Sequence, residues 1–515
     1  MSVFSKVAHQ AIQFYQRSSY QRFHKGLADV EAVQRRKLQT TLEYLRPYLG
    51  AKADISNYEK FARNFPVTSY GDYKDIFNRE KKSQQRTLPD IVRFQPTSGS
   101  TDTLKWIPYT RQLLKDFDNA LGPWLYDFYS SYPEILHGPH YWSLSWLPED
   151  LRAEGVRLND AELFPFWKRI LLKQVMAVVE PVDLAKSSES SLFATAAILV
   201  SRKDLSFASV WSPTYWLTLL DILEQKKTEL AESLRQGSWT VYQEELKDVP
   251  CPRNPTRADE LLRCKDVSSL WPRFRVLSCW TTATSRVFAQ DVAKRDFGLK
   301  IVGKGLWATE GVVTIPFQNH YVLASQSHFY EFEDLESTEI IPAWKLREGQ
   351  HVSPLLTTAG GLLRYKLSDV LKVSGFTGTT PRLEFLGRAD GTDMVGEKIS
   401  SLQAQEILNS LRTFSGHDKA CLFAVQDDSQ RRYCAVVDRS STPDLSLQLE
   451  NLLAQSFHYK LARELKQLEP AQVLTHPQVQ EKYVQMHLHR GMVLGNIKME
   501  ALRQITAQEL QEHFL

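Results

Sequence analysis

FQPTSGSTDTLKWIPYT, Phe94 to Thr110, is the stretch on which the reading of the fold turns. It gathers four hydroxyl side chains, Thr97, Ser98, Ser100 and Thr101, around Gly99, between an apolar Ile91-Val92 lead-in and a Trp106-Ile107 exit, with Lys105 at the end. Backbone N–H groups and hydroxyls in such a loop can donate to a phosphate, and glycine lets the chain turn against the ligand with no Cβ in the way. A Ser/Thr/Gly cluster between two strands is equally an ordinary hairpin connection. A Walker A loop is excluded, since that motif needs a second glycine directly before Lys-Ser/Thr and Leu104 precedes Lys105.

At 515 residues the chain is too long for one ordinary core, so a large domain plus at least one smaller one is expected. Its 43% apolar and 24% charged residues describe a globular protein, and 63 basic against 60 acidic residues leave a net charge of +3. That balance gives no broad attraction to nucleic acid or to a membrane, so an anion must be held locally. Cys251, Cys264, Cys279, Cys421 and Cys434 are odd in number and never in CxxC spacing, which favours buried thiols in a reducing cytosol over a disulfide framework or zinc finger. Lys6 and His9 fall where a signal peptide has its apolar region, and no apolar run approaches the roughly 20 residues of a spanning helix. A cytoplasmic protein is expected.

Periodicity predicts a pair of covering helices over residues 1–50, then a helical stretch from Tyr58 to Phe77 broken at Phe65-Pro66-Val67, with Thr68 capping the second part. Ile91 to Phe94 reads as a strand and Gln112 to Tyr129 as an aromatic-rich helix. Two buried helical segments are expected between Ser190 and Leu223, with Pro213 opening the second. Glu224 to Arg235 reads as a solvated helix face. Strands are expected at Phe274–Cys279 and Gly298–Val302. HFYEFEDL and LRYKLSDVLKVSGF alternate apolar with polar residues, as half-buried antiparallel strands do. Beyond Arg388, the small and charged residues of GRADGTDMVGEKIS lead into helix Ser401–Leu411, strand CLFAVQ, strand YCAVVD, a long helix Leu445–Leu468 and a tail. The expectation is an α/β protein: an N-terminal domain, 1–388, with mixed sheets and covering helices, a hinge at 389–398, and a small mobile α+β domain, 399–515.

Three distant motifs supply chemistry. ATEG, Ala308 to Gly311, places the carboxylate of Glu310 beside the Thr309 hydroxyl. YKLSDVLKVSGF puts Asp369 in a strand context, where a carboxylate can accept both ribose hydroxyls or simply serve a turn. GRADGTDMVGEKIS combines Arg388, Asp390 and Lys398. In this order, behind the hydroxyl-rich loop, they resemble the adenylate-forming superfamily of acyl-CoA synthetases, peptide-synthetase adenylation domains and luciferase. Within it the chain is most similar to the Gretchen Hagen 3 family of acyl acid amido synthetases, the auxin- and jasmonate-conjugating enzymes, and especially to its bacterial members. FPVTSYGDY, TSGST, WATEG, SHFYEFED, GLLRYKLSDVLKVSGF and RGMVLGNIKMEALR carry the resemblance over nearly the whole chain. Leu363, Ser368 and Met499-Glu500 depart from the family pattern, and nothing in them favours a plant hormone as substrate.

The resemblance implies a nucleotide site of Ser98, Gly99, Ser100, Thr101, Ala308, Thr309, Glu310, Asp369, Phe376, Arg388, Lys398 and Lys498, with Mg²⁺ held near Glu310. It also implies the reaction. A carboxylate attacks the α-phosphorus of ATP, pyrophosphate leaves, and an amine, usually of an amino acid, takes the acyl group as an amide. Lys498, delivered by the small domain, and Glu310 are the catalytic candidates. Thioester formation with coenzyme A, or nucleotide binding without turnover, remain the alternatives. Trp211, Thr214, Tyr215, Trp216, Trp280 and Thr281 are candidates for the acyl pocket, although aromatic stripes at helical spacing also build cores. His487 and His489 form an HxH pair with no third metal ligand in view, so surface histidines are expected. The partners expected are small-molecule acid and amine substrates, acted on by a monomer.

Overall fold

The computed structural model describes residues 3–50, 57–82, 87–88, 90–97, 105–143, 175–178, 182–283, 285–295, 298–427, 431–439, 444–490, 492 and 497–515. Ser98, Gly99, Ser100 and Thr101 lie outside them. The chain divides into two compact units. One comprises Met1–Thr281, Val292–Leu367 and Leu371–Phe385, and the other Thr282–Asp291, Ser368–Val370 and Leu386–Leu515.

In the larger unit the two expected N-terminal helices are Val3–Gly26 and Val30–Leu49, the second capped by Asp29, whose carboxylate accepts from the Ala32 N–H. Leu38, Leu42 and Leu45, at helical spacing, enter the main apolar core. Strand Ile91–Thr97 pairs antiparallel with Lys105–Thr110, as far as Thr97 opposite Lys105, so the hydroxyl-rich stretch connects two paired strands. Thr110 then caps helix Arg111–Ser131 through the Leu113 N–H.

An eight-stranded sheet forms the centre, ordered Ile340–Pro342, Phe329–Asp334, His351–Thr357, Asp369–Thr377, Thr380–Arg388, His320–Leu323 and Thr314–Phe317, with Tyr365–Lys366 paired to His351–Thr357. A separate parallel sheet runs His140–Trp142, Phe207–Ser209, Val276–Ser278 and Lys300–Val302. Helices Ser188–Ser201 and Pro213–Gln225 flank its second strand in sequence, Pro213 opening its helix as expected.

In the smaller unit a sheet ordered Gln472–Thr475, Arg431–Val437, Ala420–Gln426 and Leu502–Ile505 has an antiparallel centre and parallel outer pairs. Helix Ser401–Ser415 begins with a capping box of Ser400 and Gln403.

Three local expectations are corrected, and the tail, for which no elements were expected or excluded, acquires them. The helix expected over 445–468 is two, Leu445–Leu453 and Phe457–Glu464. Ser456 takes extended backbone between them, while the Glu450 carboxylate accepts from the Tyr459 hydroxyl at 2.9 Å and Arg463 Nε at 2.6 Å, holding the second helix against the first. The tail is structured, with strands Gln472–Thr475 and Leu502–Ile505 and helices Val479–His489 and Ala507–Phe514. Thr68 does not cap a helix; its hydroxyl donates to the Leu363 carbonyl at 2.7 Å, and the Ser69 N–H and hydroxyl bind Asp72 instead. The HFYEFEDL strand, Phe329–Asp334, is not half-buried: only Glu333 keeps partial exposure.

The polar residues of that strand stay inside because they are paired. Arg364 binds both oxygens of Glu331 at 2.9 Å and donates to the carbonyls of Ala62 and Phe65 at 2.8 and 2.7 Å, and Tyr58 donates to the same carboxylate at 3.0 Å. Burial raises the Glu331 carboxyl, against the opposing pull of Arg364. Removing one member of such a pair leaves a buried charge uncompensated. Arg364→Met is expected to cost about 3–5 kcal/mol in chemical denaturation; a loss under about 1 kcal/mol would equate the pair with an exposed one and refute its buried role.

Candidate functional site

Ala308 and Gly311 pair across a two-residue turn, Trp307–Ala308 against Gly311–Val312, with Thr309 and Glu310 at its tip. Glycine at 311 answers a close approach: a Cβ there would meet the His328 ring at 2.8 Å and Leu356 Cδ2 at 3.2 Å. Glu310 is nevertheless buried, with 8% of its surface exposed. Three tyrosines from distant motifs gather around the turn. Tyr109, on the strand leaving the hydroxyl-rich stretch, donates to the Thr309 carbonyl at 3.0 Å. Tyr365 donates to Glu310 Oε1 at 3.4 Å. Tyr70, from FPVTSYGDY, accepts from the Trp106 N–H at 2.8 Å and lies within electrostatic reach of Glu310. Burial, then the Glu310 carboxylate, push the Tyr365 hydroxyl upward, and burial, opposed by the Trp106 N–H, does the same for Tyr70.

The remaining charged candidates assemble in the smaller unit. Asp369, Arg388, Asp390 and Lys498 interact electrostatically, and Arg388 pairs with Asp390 at 2.8 Å. Burial raises the Asp369 carboxyl, opposed by Arg388 and Lys498. Lys498 keeps solvent-accessible surface but is hemmed in by protein; this desolvation lowers its ammonium, with Asp369 pulling the other way. Lys398 is exposed, at φ +46°. Its neighbour Glu397 is fully buried and accepts from the N–H groups of Met394 and Val395 and from the Tyr433 hydroxyl at 2.7 Å. Phe376 is half-buried against the main core.

The acyl-pocket candidates separate. Tyr215 is buried and hydrogen-bonded to the Tyr141 hydroxyl at 2.7 Å, Trp216 packs in the interior on Trp271 and Phe274, and Thr214 bonds Ser212. Trp211 and Trp280 stay half-buried, with rings 5.8 Å apart, and Thr281 faces the Tyr321 hydroxyl at 3.2 Å. His487 is not a surface residue. It is 2% exposed, burial pushes its imidazole down to about 3, and among the described residues no group of three potential ligands could hold a metal.

Residues 19–296 match the model of the GH3 family N-terminal domain, and residues 321–388 that of the GH3 family central domain. The chain belongs to the GH3 family. It is 22% identical over 408 residues to the indole-3-acetic acid-amido synthetase GH3.15 of Arabidopsis thaliana, covering 70% of this chain and 67% of that protein. It is 23% identical over 513 residues to GH3.17, an indole-3-acetic acid-amido synthetase of the same plant, covering 85% and 79%. Among solved structures, an Arabidopsis GH3.15 acyl acid amido synthetase in complex with 2,4-DB shares the fold at TM-score 0.79, with 16% identity and 97% and 96% of the two chains covered.

The hydroxyls of Tyr70, Tyr109 and Tyr365 are not singled out by the sequence, though each stands in or beside a GH3 motif. Glu397 is equally hidden, because a glutamate in a charged stretch gives no sign that it caps backbone N–H groups. The contact at Gly311 is testable. Gly311→Ala is expected to destabilise the fold by about 1–3 kcal/mol through overpacking on His328; a melting temperature equal to the parent's would show that the ring yields freely.

Proposed function

We infer that the protein is an ATP-dependent acyl acid amido synthetase, which converts a carboxylic acid into its acyl-adenylate and passes the acyl group to the amine of an amino acid. The observation that carries the reading is the meeting of FPVTSYGDY, the strand Lys105–Thr110, ATEG and the Arg-Tyr block around Glu310, supported by family membership. We assign the nucleotide to these elements, with Asp369 taking the ribose hydroxyls and Ser98, Ser100 and Thr101 the β- and γ-phosphates.

In the first half-reaction a substrate carboxylate oxygen bonds to the α-phosphorus as the bond to the β-phosphate oxygen breaks. Charge gathers on the phosphoryl group, and a cation placed there lowers the barrier more than it stabilises the ground state. Lys498 takes that role; the Asp369 carboxylate favours its ammonium form, while burial and Arg388 oppose it. In the second half-reaction the amine nitrogen bonds to the acyl carbon, AMP leaves with the bonding electron pair, and the nitrogen gives up a proton. Glu310 suits Mg²⁺, because a single buried carboxylate beside a neutral hydroxyl, with no group of three potential metal ligands among the described residues, matches an ion that draws most of its ligands from phosphate and water. When bound, the ion neutralises phosphate charge. Trp211, Trp280 and Thr281 remain the acyl-site candidates; the interior positions of Tyr215 and Trp216 favour support of that wall over contact. The reading further includes a monomer working in the cytoplasm, with the smaller unit acting as a lid.

Acid-dependent exchange between ATP and labelled pyrophosphate tests the first half, and identification of an amide rather than a thioester tests the second. Lys498→Ala is expected to lose about 10²–10³-fold in exchange while ATP binding holds; undiminished exchange would assign the cation elsewhere.

A further inference from the structure

The parallel sheet ends in an unusual set of side chains. Its first strand finishes at Trp142, and two residues beyond the ends of the next three lie Trp211, Trp280 and Lys304. The register continues past the strands, since the Ser143 N–H donates to the Ser209 carbonyl and the Trp280 N–H to that of Trp211, both at 2.9 Å. In open α/β sheets this carboxyl edge is where ligands bind. Here it is an aromatic recess: Trp142, Trp211, Trp280 and Trp307 are all half-buried, and Trp307 stands 6.4 Å from Trp211 and 6.2 Å from Trp124.

Lys304 lies inside that ring, with 7% of its surface exposed. Its ammonium is 4.7 Å from the Trp211 ring centre, 5.8 Å from Trp124 and 6.0 Å from Trp142. It donates to Ser209 Oγ at 2.6 Å, and among the described residues it has no carboxylate partner. A lysine has three N–H donors, and a buried one is almost always paired with an anion. Indole faces compensate a cation in part, yet burial still pulls Lys304 down to about 7. The titratable group that faces it is the Cys279 thiol, pushed up to about 12 and therefore neutral; its other neighbours, Ser209 and the indoles, carry no charge.

We propose that Lys304 determines the specificity of the acyl site, its ammonium pairing with the carboxylate of an aromatic acid whose ring lies against the surrounding tryptophans. The proposal rests on the ligase reading above. A lysine that only fills space would leave acid affinity and its pH dependence unmoved when replaced by an apolar side chain of similar length.

The full chain is tested with benzoate, phenylacetate and indole-3-acetate, against hexanoate, in ATP–pyrophosphate exchange from pH 6 to 9, where every acid is ionised. Lys304→Met should raise the acid KM 10- to 100-fold and leave the ATP KM within twofold. In the parent, kcat/KM for the acid should fall as pH climbs through about 7 and the amine loses its proton; that limb should vanish in the variant. Ser209→Ala, which removes an acceptor from the protonated form, should move the limb to lower pH and supplies the test if Lys304→Met fails to fold. An acid KM and a pH limb that are unchanged in the variants, with the parent active, would overturn the role of Lys304 alone. Parent protein inactive with every acid would overturn the ligase reading and this proposal with it.

Discussion

The guanidinium of Arg364 joins three parts of the larger unit that the chain keeps far apart. It fixes the end of the short helix at 58–64 through two carbonyls, engages Glu331 in the central sheet, and belongs to the turn that sets Tyr365 in place. Its backbone lies in the left-handed region, at φ +48°, a conformation that a non-glycine residue holds only when its surroundings over-determine it. The Thr68 N–H donates to the Arg364 carbonyl, and the Lys366 N–H donates back to the Thr68 carbonyl. FPVTSYGDY and the Arg-Tyr block therefore form one piece of structure, and Tyr70 and Tyr365 reach Glu310 from it together.

This explains why the Arg-Tyr block is specific as a sequence signature. Its residues have separate tasks within a few positions: Arg364 anchors, Tyr365 faces the Glu310 turn, and Asp369 enters the charged cluster of the smaller unit. Fewer residues with one shared task would recur by chance far more often. The N-terminal helical pair, the strand entering at Ile91 and the central strand pair of the C-terminal sheet were legible for a simpler reason, since local periodicity and turn chemistry decide them.

Other features were illegible in one sequence because long-range packing decides them. Tyr109 and Thr309 are 200 positions apart, and no periodicity connects them. Lys304 reads as an ordinary surface lysine until the parallel sheet and the helix Arg111–Ser131 bring Trp142, Trp211 and Trp124 around it. The break at 454–456 follows from what Glu450 binds, which no local pattern in the sequence announces. The burial of Glu331 likewise contradicts its alternating strand pattern only because Arg364 is there to meet it.

The Thr68–Arg364 pairing also bears on how the chain is made. Gln34 binds the backbone at Ser325, His328 and Tyr330, and Tyr58 binds Glu331, so the N-terminal helices find their partners only after nearly 300 further residues. At ribosomal rates of ~5–20 residues per second, those helices emerge roughly 15–60 s before the strands that cover them. Phe61, Phe65 and Phe77, all buried in the finished core, are left without that sheet for the interval. The interleaving that unites the site thus makes the nascent chain a natural client for a chaperone.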